Sequence, residues 1–420
     1  MSKTINEYQV ELRQGKLWID GKHEFLKIGK PLRHYGDEEQ IEKLIKDLPI
    51  IKAKHYRCLE LNCYWHHLDP NGDGEIDVST EPLKKLINAI NEYGMFASLS
   101  VETYGVGGGQ IPQGFWDRYP KSLAMDHEGN LVEDTEYGYM SKVPSLFNSE
   151  YLSASRAYIR NLTKALSDCD ILWYETTVEP QYMGSRWIDY GPDARSAYEN
   201  WLKTSEIDGP TFPDTFPVTE RFMRDPIWNK FRAQNLAKWV NEDAQAYRDI
   251  VGEDAWIATD YLDAIEETMI QRCGDPLEFL RYLTGPNILQ VNWTWHNFDR
   301  KPHMQAYNRV HQIMKETGRD WAVAEHMTIN GTDYHAEDMN GLLENTLKNG
   351  TCLGWEFVDV CADLDSPDVK EGVVEPGNFK PAHFTVYDKD WNPIPTMAVV
   401  ENNWDKWLER VKEVCSQPSA

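Results

Sequence analysis

Two glutamates, Glu175 and Glu179, stand four residues apart in the segment WYETTVEPQY (173–182). That spacing would place both on one face of a helix. The apolar, β-rich run before them and Pro180 directly after Glu179 favour instead a strand that runs into a loop. Another glutamate, Glu325, closes the apolar run WAVAE. Carboxylates at the ends of separate strands could cleave a glycosidic bond, since one protonates the leaving oxygen while the other attacks or activates water.

Trp173, Tyr174 and Tyr182 surround this first pair of glutamates. Aromatic walls suit the stacking of sugar rings, and apolar surroundings raise the pKa of a carboxylic acid so that it stays protonated near neutral pH. Glu175 and Glu179 are therefore candidates for such an acid, and Glu325 is a candidate for the second carboxylate. Glu175 is predicted to be structural, and it is the alternative acid if the predicted end of its strand is misplaced.

Eight short β-rich runs alternate with amphipathic helical patterns along the chain. The runs lie at 25–29, 56–62, 95–101, 171–177, 255–259, 288–292, 321–325 and 352–358. Several helical patterns end in Gly, as helix C-termini prefer. Eight βα units in a single run predict a (β/α)8 TIM barrel rather than a doubly wound sheet.

Two connections in this predicted barrel are unusually long, residues 102–149 after the third strand and 178–254 after the fourth. In a TIM barrel such loops lie at the C-terminal face, where active sites are built, and loops of this length are usually functional. Residues 1–24 are predicted to form a hairpin that caps the barrel. Residues 25–420 are predicted to form the catalytic barrel itself.

Polar and aromatic residues near the C-terminal ends of the strands are further candidates, because these ends meet at the mouth of a barrel. The predicted substrate-binding residues are Arg57, Trp65, Glu102, Tyr182, Trp295, His296 and Trp355. Glu356 is the neighbour of Trp355 and therefore points to the opposite face of the same strand. A buried arginine needs a carboxylate partner, and we expect Glu325 to pair with Arg57.

Composition limits the partners and the compartment. A net charge of −25 over 420 residues argues against nucleic acid or an anionic membrane as a partner and suits a neutral ligand. The chain begins without an apolar signal core, so we expect a cytoplasmic protein, although a secreted protein without its signal peptide would look the same. Seven cysteines without a CxxC pair predict neither a disulfide framework nor a zinc cluster. No metal or cofactor is expected, because two carboxylates suffice for the chemistry.

Three segments resemble clan A of the retaining β-glycosidases, and the β-galactosidase-type families 35 and 42 in particular. They are KLWIDGKHEFLKIG at the first strand, YWHHLDPNGDGEIDVSTEPLKKLI after the second and PQGFWDRYPKSLAMDHEGN after the third. The likeness spans most of residues 16–360. It implies a TIM-barrel enzyme that hydrolyses a β-linked neutral oligosaccharide with retention of configuration. The two long loops predict a closed pocket that removes sugars from the non-reducing end.

Carried over residue by residue, the resemblance makes Glu179 the acid/base and Glu325 the nucleophile. It makes Arg57 the arginine that hydrogen-bonds the nucleophile, and Trp355 the floor of the sugar site. One position departs from the pattern, since the clan usually has Asn directly before the acid/base and this chain has Val178. The cysteine zinc cluster of family 42 is absent from the sequence as well.

Three alternatives stay open. The segment DPNGDGEID (69–77) resembles a calcium loop, but the twelfth position is Thr80 where an EF-hand has Glu, so a structural cation is undecided. An endo-acting β-glucanase or β-mannanase would use the same chemistry in an open cleft. A non-catalytic carbohydrate-binding barrel would bind sugar without turnover. The sequence does not predict which sugar is bound or the oligomeric state.

Overall fold

Alternating apolar side chains in the first 24 residues form a four-stranded antiparallel sheet rather than the single predicted hairpin. Its strands are β1 (Ser2–Ile5), β2 (Tyr8–Arg13), β3 (Lys16–Ile19) and β4 (Lys22–Glu24). Each connection has two residues with positive φ, the geometry of type I′ hairpins: Asn6-Glu7, Gln14-Gly15 and Asp20-Gly21. The Asp-Gly pair is a strong signal for such a turn, and it accounts for the additional strands.

Eight parallel strands follow, and they close into a barrel. The computed structural model describes residues 2–31, 33–104, 111–133, 142–182, 186–262, 266–293, 300–327, 336–348, 353–358, 360, 386–388 and 390–415. The barrel strands are β5 (Leu26–Lys30), β6 (Cys58–Tyr64), β7 (Phe96–Glu102), β8 (Ile171–Glu175), β9 (Ile257–Leu262), β10 (Ile288–Trp293), β11 (Ala322–Met327) and β12 (Gly354–Val358). They pair in sequence order, with β12 closing on β5. This is the predicted (β/α)8 TIM barrel.

Helices cover the outside of the barrel. They are α1 (Glu38–Ala53), α2 (Trp65–Leu68), α3 (Glu81–Glu92), α4 (Gln113–Arg118), α5 (Ser149–Ala165), α6 (Pro192–Ser205), α7 (Glu220–Met223), α8 (Pro226–Val251), α9 (Glu266–Cys273), α10 (Pro276–Tyr282), α11 (Arg300–Thr317), α12 (Ala336–Lys348) and α13 (Pro395–Cys415). The start of α8 shows the local rules. Asp225 accepts hydrogen bonds from the main-chain N–H groups of Ile227 and Trp228, and Pro226 occupies the first helical position.

The N-terminal sheet packs against the N-terminal end of the barrel. Its buried residues Val10 and Leu17 share one apolar cluster with Ile28, Phe96 and residues of other barrel strands. The predicted division into two domains at residue 25 stays a prediction. The two long connections carry helices of their own, with α4 after β7 and both α6 and α7 after β8. None of the helices in the described ranges has the length and apolar character needed to cross a membrane.

Candidate active site

Glu179 lies just beyond the C-terminal end of β8, the fourth barrel strand, in a left-handed backbone conformation. Its φ is 48°, which is uncommon for a residue with a side chain and costs about 1–3 kcal/mol. Its main-chain N–H donates to Asp260 Oδ2 at 3.1 Å, and Gln181 Nε2 donates to its carboxylate at 3.3 Å. The residue is 5% exposed. Strain of this kind is kept where the surroundings enforce it, which often happens at functional sites.

Glu102, at the end of β7, is not placed to bind substrate as the sequence predicted. It is buried, and both carboxylate oxygens accept hydrogen bonds from the protein. Oε1 accepts from Asn62 at 3.2 Å, from Ser100 at 3.0 Å and from the Val178 N–H at 3.2 Å. Oε2 accepts from the Thr177 hydroxyl at 3.2 Å and from the same Val178 N–H at 3.3 Å. Glu102 therefore holds the chain that leads into Glu179.

The stability of the protein should depend on the protonation of Glu102. Burial raises the pKa of Glu102 from 4.5 to about 7, against the lowering effects of Lys30 and its hydrogen bonds. Between pH 4.5 and about 7, Glu102 keeps its proton in the folded state and releases it in the unfolded state. The free energy of unfolding therefore falls as the pH rises. We expect this group alone to contribute a fall of about 3 kcal/mol from pH 4.5 to 7. Urea unfolding of wild type and Glu102→Gln between pH 4.5 and 7 isolates this contribution, because the variant has no carboxyl group to titrate and its free energy of unfolding should fall less with pH. An equal pH dependence of the two proteins would contradict the raised pKa of Glu102.

A layer of buried charge lies in the barrel lumen, between the apolar cluster and the mouth. Lys30 Nζ is 2.7 Å from Glu60, 3.2 Å from Glu356 and 3.5 Å from Glu175. Gln290 Nε2 donates to Glu60 at 2.9 Å and also to Glu356. Lys30 on β5 thus contacts carboxyl groups from β6, β8 and β12. Glu175 is one of them and belongs to this structural layer. Sequence reasoning missed the layer, although each member is a charged or polar residue within a run of buried strand residues.

The charges of this layer are set by mutual contact. Burial opposes ionisation of Glu60, but Lys30 outweighs it and lowers the pKa of Glu60 to about 2. Burial and the negative charge of Glu60 raise the pKa of Glu175 well above its usual value. Lys30 is held charged, because its three carboxylate neighbours raise its pKa despite burial. Within this layer, ionisation is thus favoured at Glu60 and disfavoured at Glu175.

Glu325 lies on β11, the seventh barrel strand, but its side chain is on the outer face. Val323 and Met327, two residues to either side, belong to the cluster between strands and helices, whereas Ala322 and Ala324 belong to the lumen cluster. The Glu325 carboxylate is buried and accepts a hydrogen bond from the Tyr307 hydroxyl on α11. The sequence predicts that Glu179 and Glu325 face each other across the mouth of the barrel. The structure does not bring them together there.

Trp355 is likewise on the outer face, opposite Glu325 in the strand pairing. Its ring centroid lies 5.2 Å from that of Trp407 and 6.2 Å from that of Trp404, both on α13. The prediction that Trp355 floors the sugar site is wrong. The alternation rule did place Trp355 and Glu356 on opposite faces, but Glu356 is the one that faces the lumen.

Trp355→Ala should therefore destabilise the fold without weakening substrate binding. Removing a fully buried indole between a strand and a helix leaves a cavity, and the expected loss is about 3–5 kcal/mol in the free energy of unfolding. Urea unfolding measures this loss, and the KM of any substrate that the protein turns over should stay unchanged. A raised KM with unchanged stability would restore the sugar-platform role.

Arg57 is at the wrong end of the barrel for the predicted contact with Glu325. It directly precedes β6, so it lies at the N-terminal face, where its Nε is 3.6 Å from Glu24 and its Nη1 donates to the Gly94 carbonyl. The guanidinium also lies over the rings of Tyr8 and Phe96. The predicted pairing of Arg57 with Glu325 is wrong, because the strand begins only after this residue.

Trp65 and Tyr182 are buried structural residues rather than substrate contacts. Trp65 Nε1 donates to Asp69 Oδ2 at 2.8 Å. The Tyr182 hydroxyl donates to the Arg232 carbonyl at 2.9 Å, and the Arg232 guanidinium lies 4.4 Å from the centre of its ring. Neither side chain exceeds 1% exposure. The other predicted contacts, Trp295 and His296, lie outside the described residues.

In the calcium-like loop at residues 69–77, main-chain N–H groups of the loop itself occupy the carboxylate oxygens of Asp69. Asp69 accepts hydrogen bonds from the N–H groups of Gly72 and Gly74, each at 2.7 Å. Both glycines have positive φ, and a Cβ on Gly72 would lie 2.5 Å from Phe115 N. Their conformation and tight packing thus explain the sequence pattern. Across the described ranges, no group of three or more His, Cys, Asp or Glu side chains could hold a metal ion.

The closed (β/α)8 barrel thus carries a buried glutamate with positive φ after its fourth strand. Residues 34–207 match the glycoside hydrolase family 42 sequence model, described as beta-galactosidase, which covers less than half of the chain. No curated protein sequence matches.

Solved structures share the fold at low sequence identity. The β-galactosidase from the psychrophilic Marinomonas ef1 has a TM-score of 0.67 at 13% identity, over 94% of this chain and 62% of that one. A catalytic mutant of a family 42 β-galactosidase from G. stearothermophilus gives 0.66 at 16% identity, over 94% and 58%. The β-amylase catalytic domain from Paenibacillus polymyxa gives 0.63 at 13% identity, over 94% and 99%. This chain thus spans about three fifths of those β-galactosidases and nearly all of the β-amylase domain.

Proposed function

We propose that this protein is a β-galactosidase-like glycoside hydrolase that acts on a β-linked, neutral oligosaccharide. The observation that carries the proposal is Glu179, a buried glutamate held at φ 48° after the fourth barrel strand. The family 42 match over residues 34–207 includes this position and supports the substrate class. The net charge of −25 supports a neutral rather than an anionic ligand.

Glu179 acts as the acid/base in this proposal. Its carboxylic acid protonates the glycosidic oxygen as the bond to the anomeric carbon breaks, and its carboxylate later takes a proton from the attacking water. The bond from Gln181 and the fixed main chain hold the carboxyl group in one orientation. Such positioning raises the rate because the acid need not be aligned during reaction.

Retention of configuration also needs a nucleophile, and we propose Glu325 on the resemblance of its strand position. Its carboxylate lies on the outer face of β11 against Tyr307, so the role requires the end of this strand to shift by one residue. A one-residue shift exchanges the inner and outer faces of a strand.

Glu325→Ala with added azide tests this assignment. If Glu325 is the nucleophile, turnover of an aryl β-galactoside disappears, and azide restores it with formation of the α-galactosyl azide. If turnover persists while thermal stability falls, Glu325 has the structural role that its contact with Tyr307 indicates. Tyr307→Phe is the matched control, because it removes the hydrogen bond and leaves the carboxylate in place.

A non-catalytic carbohydrate-binding barrel is the second candidate function. The outward direction of Glu325 favours it, since a barrel in which this carboxylate does not reach the sugar could bind the sugar without cleaving it by the two-carboxylate mechanism. Calorimetric titration with galactose and β-galactobiose distinguishes the two candidates when it is combined with a turnover assay. Binding without any product over a day supports the binding barrel.

The long insertions after β7 and β8 support exo action on short substrates, because they add chain above the mouth of the barrel. An exo enzyme releases single sugars from the non-reducing end of an oligosaccharide. Chromatography of the early products of a β-galactan decides this point. Galactose alone supports exo action, and a ladder of internal fragments supports the endo alternative.

A further inference from the structure

The four residues from Thr176 to Glu179 are each hydrogen-bonded to a neighbouring barrel strand. The Thr176 N–H donates to the Ala258 carbonyl at 3.0 Å, and the Thr177 hydroxyl donates to Glu102 at 3.2 Å. The Val178 N–H donates to both oxygens of Glu102, and the Glu179 N–H donates to Asp260 Oδ2. The segment is therefore tied to β7 on one side and to β9 on the other.

The two acceptors are carboxylates in the protein interior. Glu102 is 1% exposed and Asp260 is fully buried. A carboxylate binds a main-chain N–H more strongly than a neutral acceptor does, and the difference is larger where water is excluded. Val178 has no polar side chain, so its N–H is the group through which this residue can be oriented.

These two bonds set the peptide planes on either side of Val178. The plane between Thr177 and Val178 is fixed by Glu102, and the plane between Val178 and Glu179 is fixed by Asp260. Beyond the turn, the Tyr182 N–H donates to the Arg272 carbonyl at 2.5 Å. The fixed main chain sets the direction in which the side chain of Glu179 leaves the backbone, and the hydrogen bond from Gln181 then holds its carboxyl group.

We propose that Glu102 and Asp260 are positioning residues that hold Glu179 in its left-handed conformation and so aim its carboxyl group at the glycosidic oxygen. This inference rests on the proposed function of Glu179 as the acid/base. Neither residue contacts the reacting atoms; they act through the main chain of residues 178 and 179. Loss of the Glu102 bonds should lower the kcat about 10- to 100-fold for substrates that need protonation, with little change in KM.

The test compares Glu102→Leu, which removes both acceptors, with Glu102→Gln, which keeps one oxygen within reach of the Val178 N–H. Each variant is assayed on phenyl and 2,4-dinitrophenyl β-galactosides, whose leaving groups differ in their need for an acid. We expect Glu102→Leu to lose kcat/KM on the phenyl substrate and far less kcat/KM on the dinitrophenyl substrate, because kcat/KM reports the step in which the leaving group departs, and we expect Glu102→Gln to recover most of the loss. Ser100→Ala is the matched control, since it removes another hydrogen bond to Glu102 and should change the kcat less than about twofold.

An equal loss on both substrates, or a change confined to KM, would overturn the positioning role. Crystal structures of wild type and Glu102→Leu give a reading that is independent of turnover. In the variant, φ of Glu179 should leave the left-handed region, and an unchanged φ contradicts the proposal. If wild type shows no turnover, the proposed function fails, and the φ comparison still decides the inference. If Glu102→Leu does not fold, Asp260→Ala is measured in its place.

Discussion

Glu179→Gln should lower the turnover of phenyl β-galactoside by about 10²–10⁴-fold. The substitution keeps the size of the side chain and removes the proton that the leaving phenolate requires. A 2,4-dinitrophenyl leaving group needs little protonation, so the formation of the glycosyl-enzyme should be almost unaffected for that substrate. Hydrolysis of the intermediate should then be slow, and azide should accelerate it to give the β-galactosyl azide. Steady-state kinetics on both substrates, with and without azide, measure this result.

Glu206→Gln is the matched control, because Glu206 is another glutamate with positive φ, at 54°, but lies exposed at the C-terminus of α6. It should keep wild-type kinetics. Glu175→Gln tests the alternative acid, and its buried contact with Lys30 predicts a change in stability rather than in leaving-group dependence. If Glu175→Gln gave the azide pattern and Glu179→Gln did not, the acid/base assignment would be wrong.

Lys30→Met should destabilise the fold by about 3–5 kcal/mol at pH 7. The substitution removes the cation that Glu60, Glu175 and Glu356 share, and leaves the negative charge of Glu60 buried in the lumen without a partner cation. Glu60 has a lowered pKa in wild type, so it contributes stability above pH 4.5 that is lost as the pH falls toward 2. In the variant its pKa should rise instead. The loss of stability should therefore be largest at neutral pH and smaller near pH 4.5, as urea unfolding at several pH values would show.

Lys27→Met is the matched control on the same strand. Lys27 is also buried, but it lies over the aromatic rings of Tyr56 and Trp404 rather than among carboxylates, and burial lowers its pKa to about 7. Replacing it with Met leaves no buried negative charge behind, so the loss should be smaller. If the two variants lost equal stability with the same pH dependence, the charge layer would not be the reason for the effect.

The sequence predicted the barrel well, because its strands and helices differ in period and length. The eight observed strands each overlap a predicted run, as in Phe96–Glu102 for 95–101 and Ile288–Trp293 for 288–292. The N-terminal sheet was predicted as one hairpin, since the Asp20-Gly21 turn was not weighed. The Asp-Gly pair is a local sequence signal for a two-residue turn with positive φ at both positions.

The faces of the strands were harder to predict than their positions. Barrel strands are buried on both sides, so apolar content does not tell which residues point into the lumen. Alternation placed Trp355 and Glu356 on opposite faces, but the inner face was given to the tryptophan. The same ambiguity put Glu325 in the lumen. Lys30 provides the missing reference, since a buried lysine requires carboxylates and marks the inner face of every strand that supplies one.

Glu179 was predicted from the sequence, whereas the residues that hold it were not. Glu102 was predicted to bind substrate because it is a polar residue at the C-terminal end of a barrel strand. Its five hydrogen bonds come from Asn62 on β6, from Ser100 on its own strand and from the loop before Glu179, and such pairing between strands is not contained in any local pattern.

The most direct measurement is phenol release from a panel of aryl β-galactosides, β-glucosides and β-mannosides, with calorimetric titration of the matching free sugars on the same sample. We predict release from the β-galactosides at a rate that falls by at least about 10²-fold in Glu179→Gln, with sugar binding retained in both proteins. Sugar binding by wild type with no release from any of the aryl glycosides, or equal release by wild type and Glu179→Gln, would contradict the proposed hydrolase.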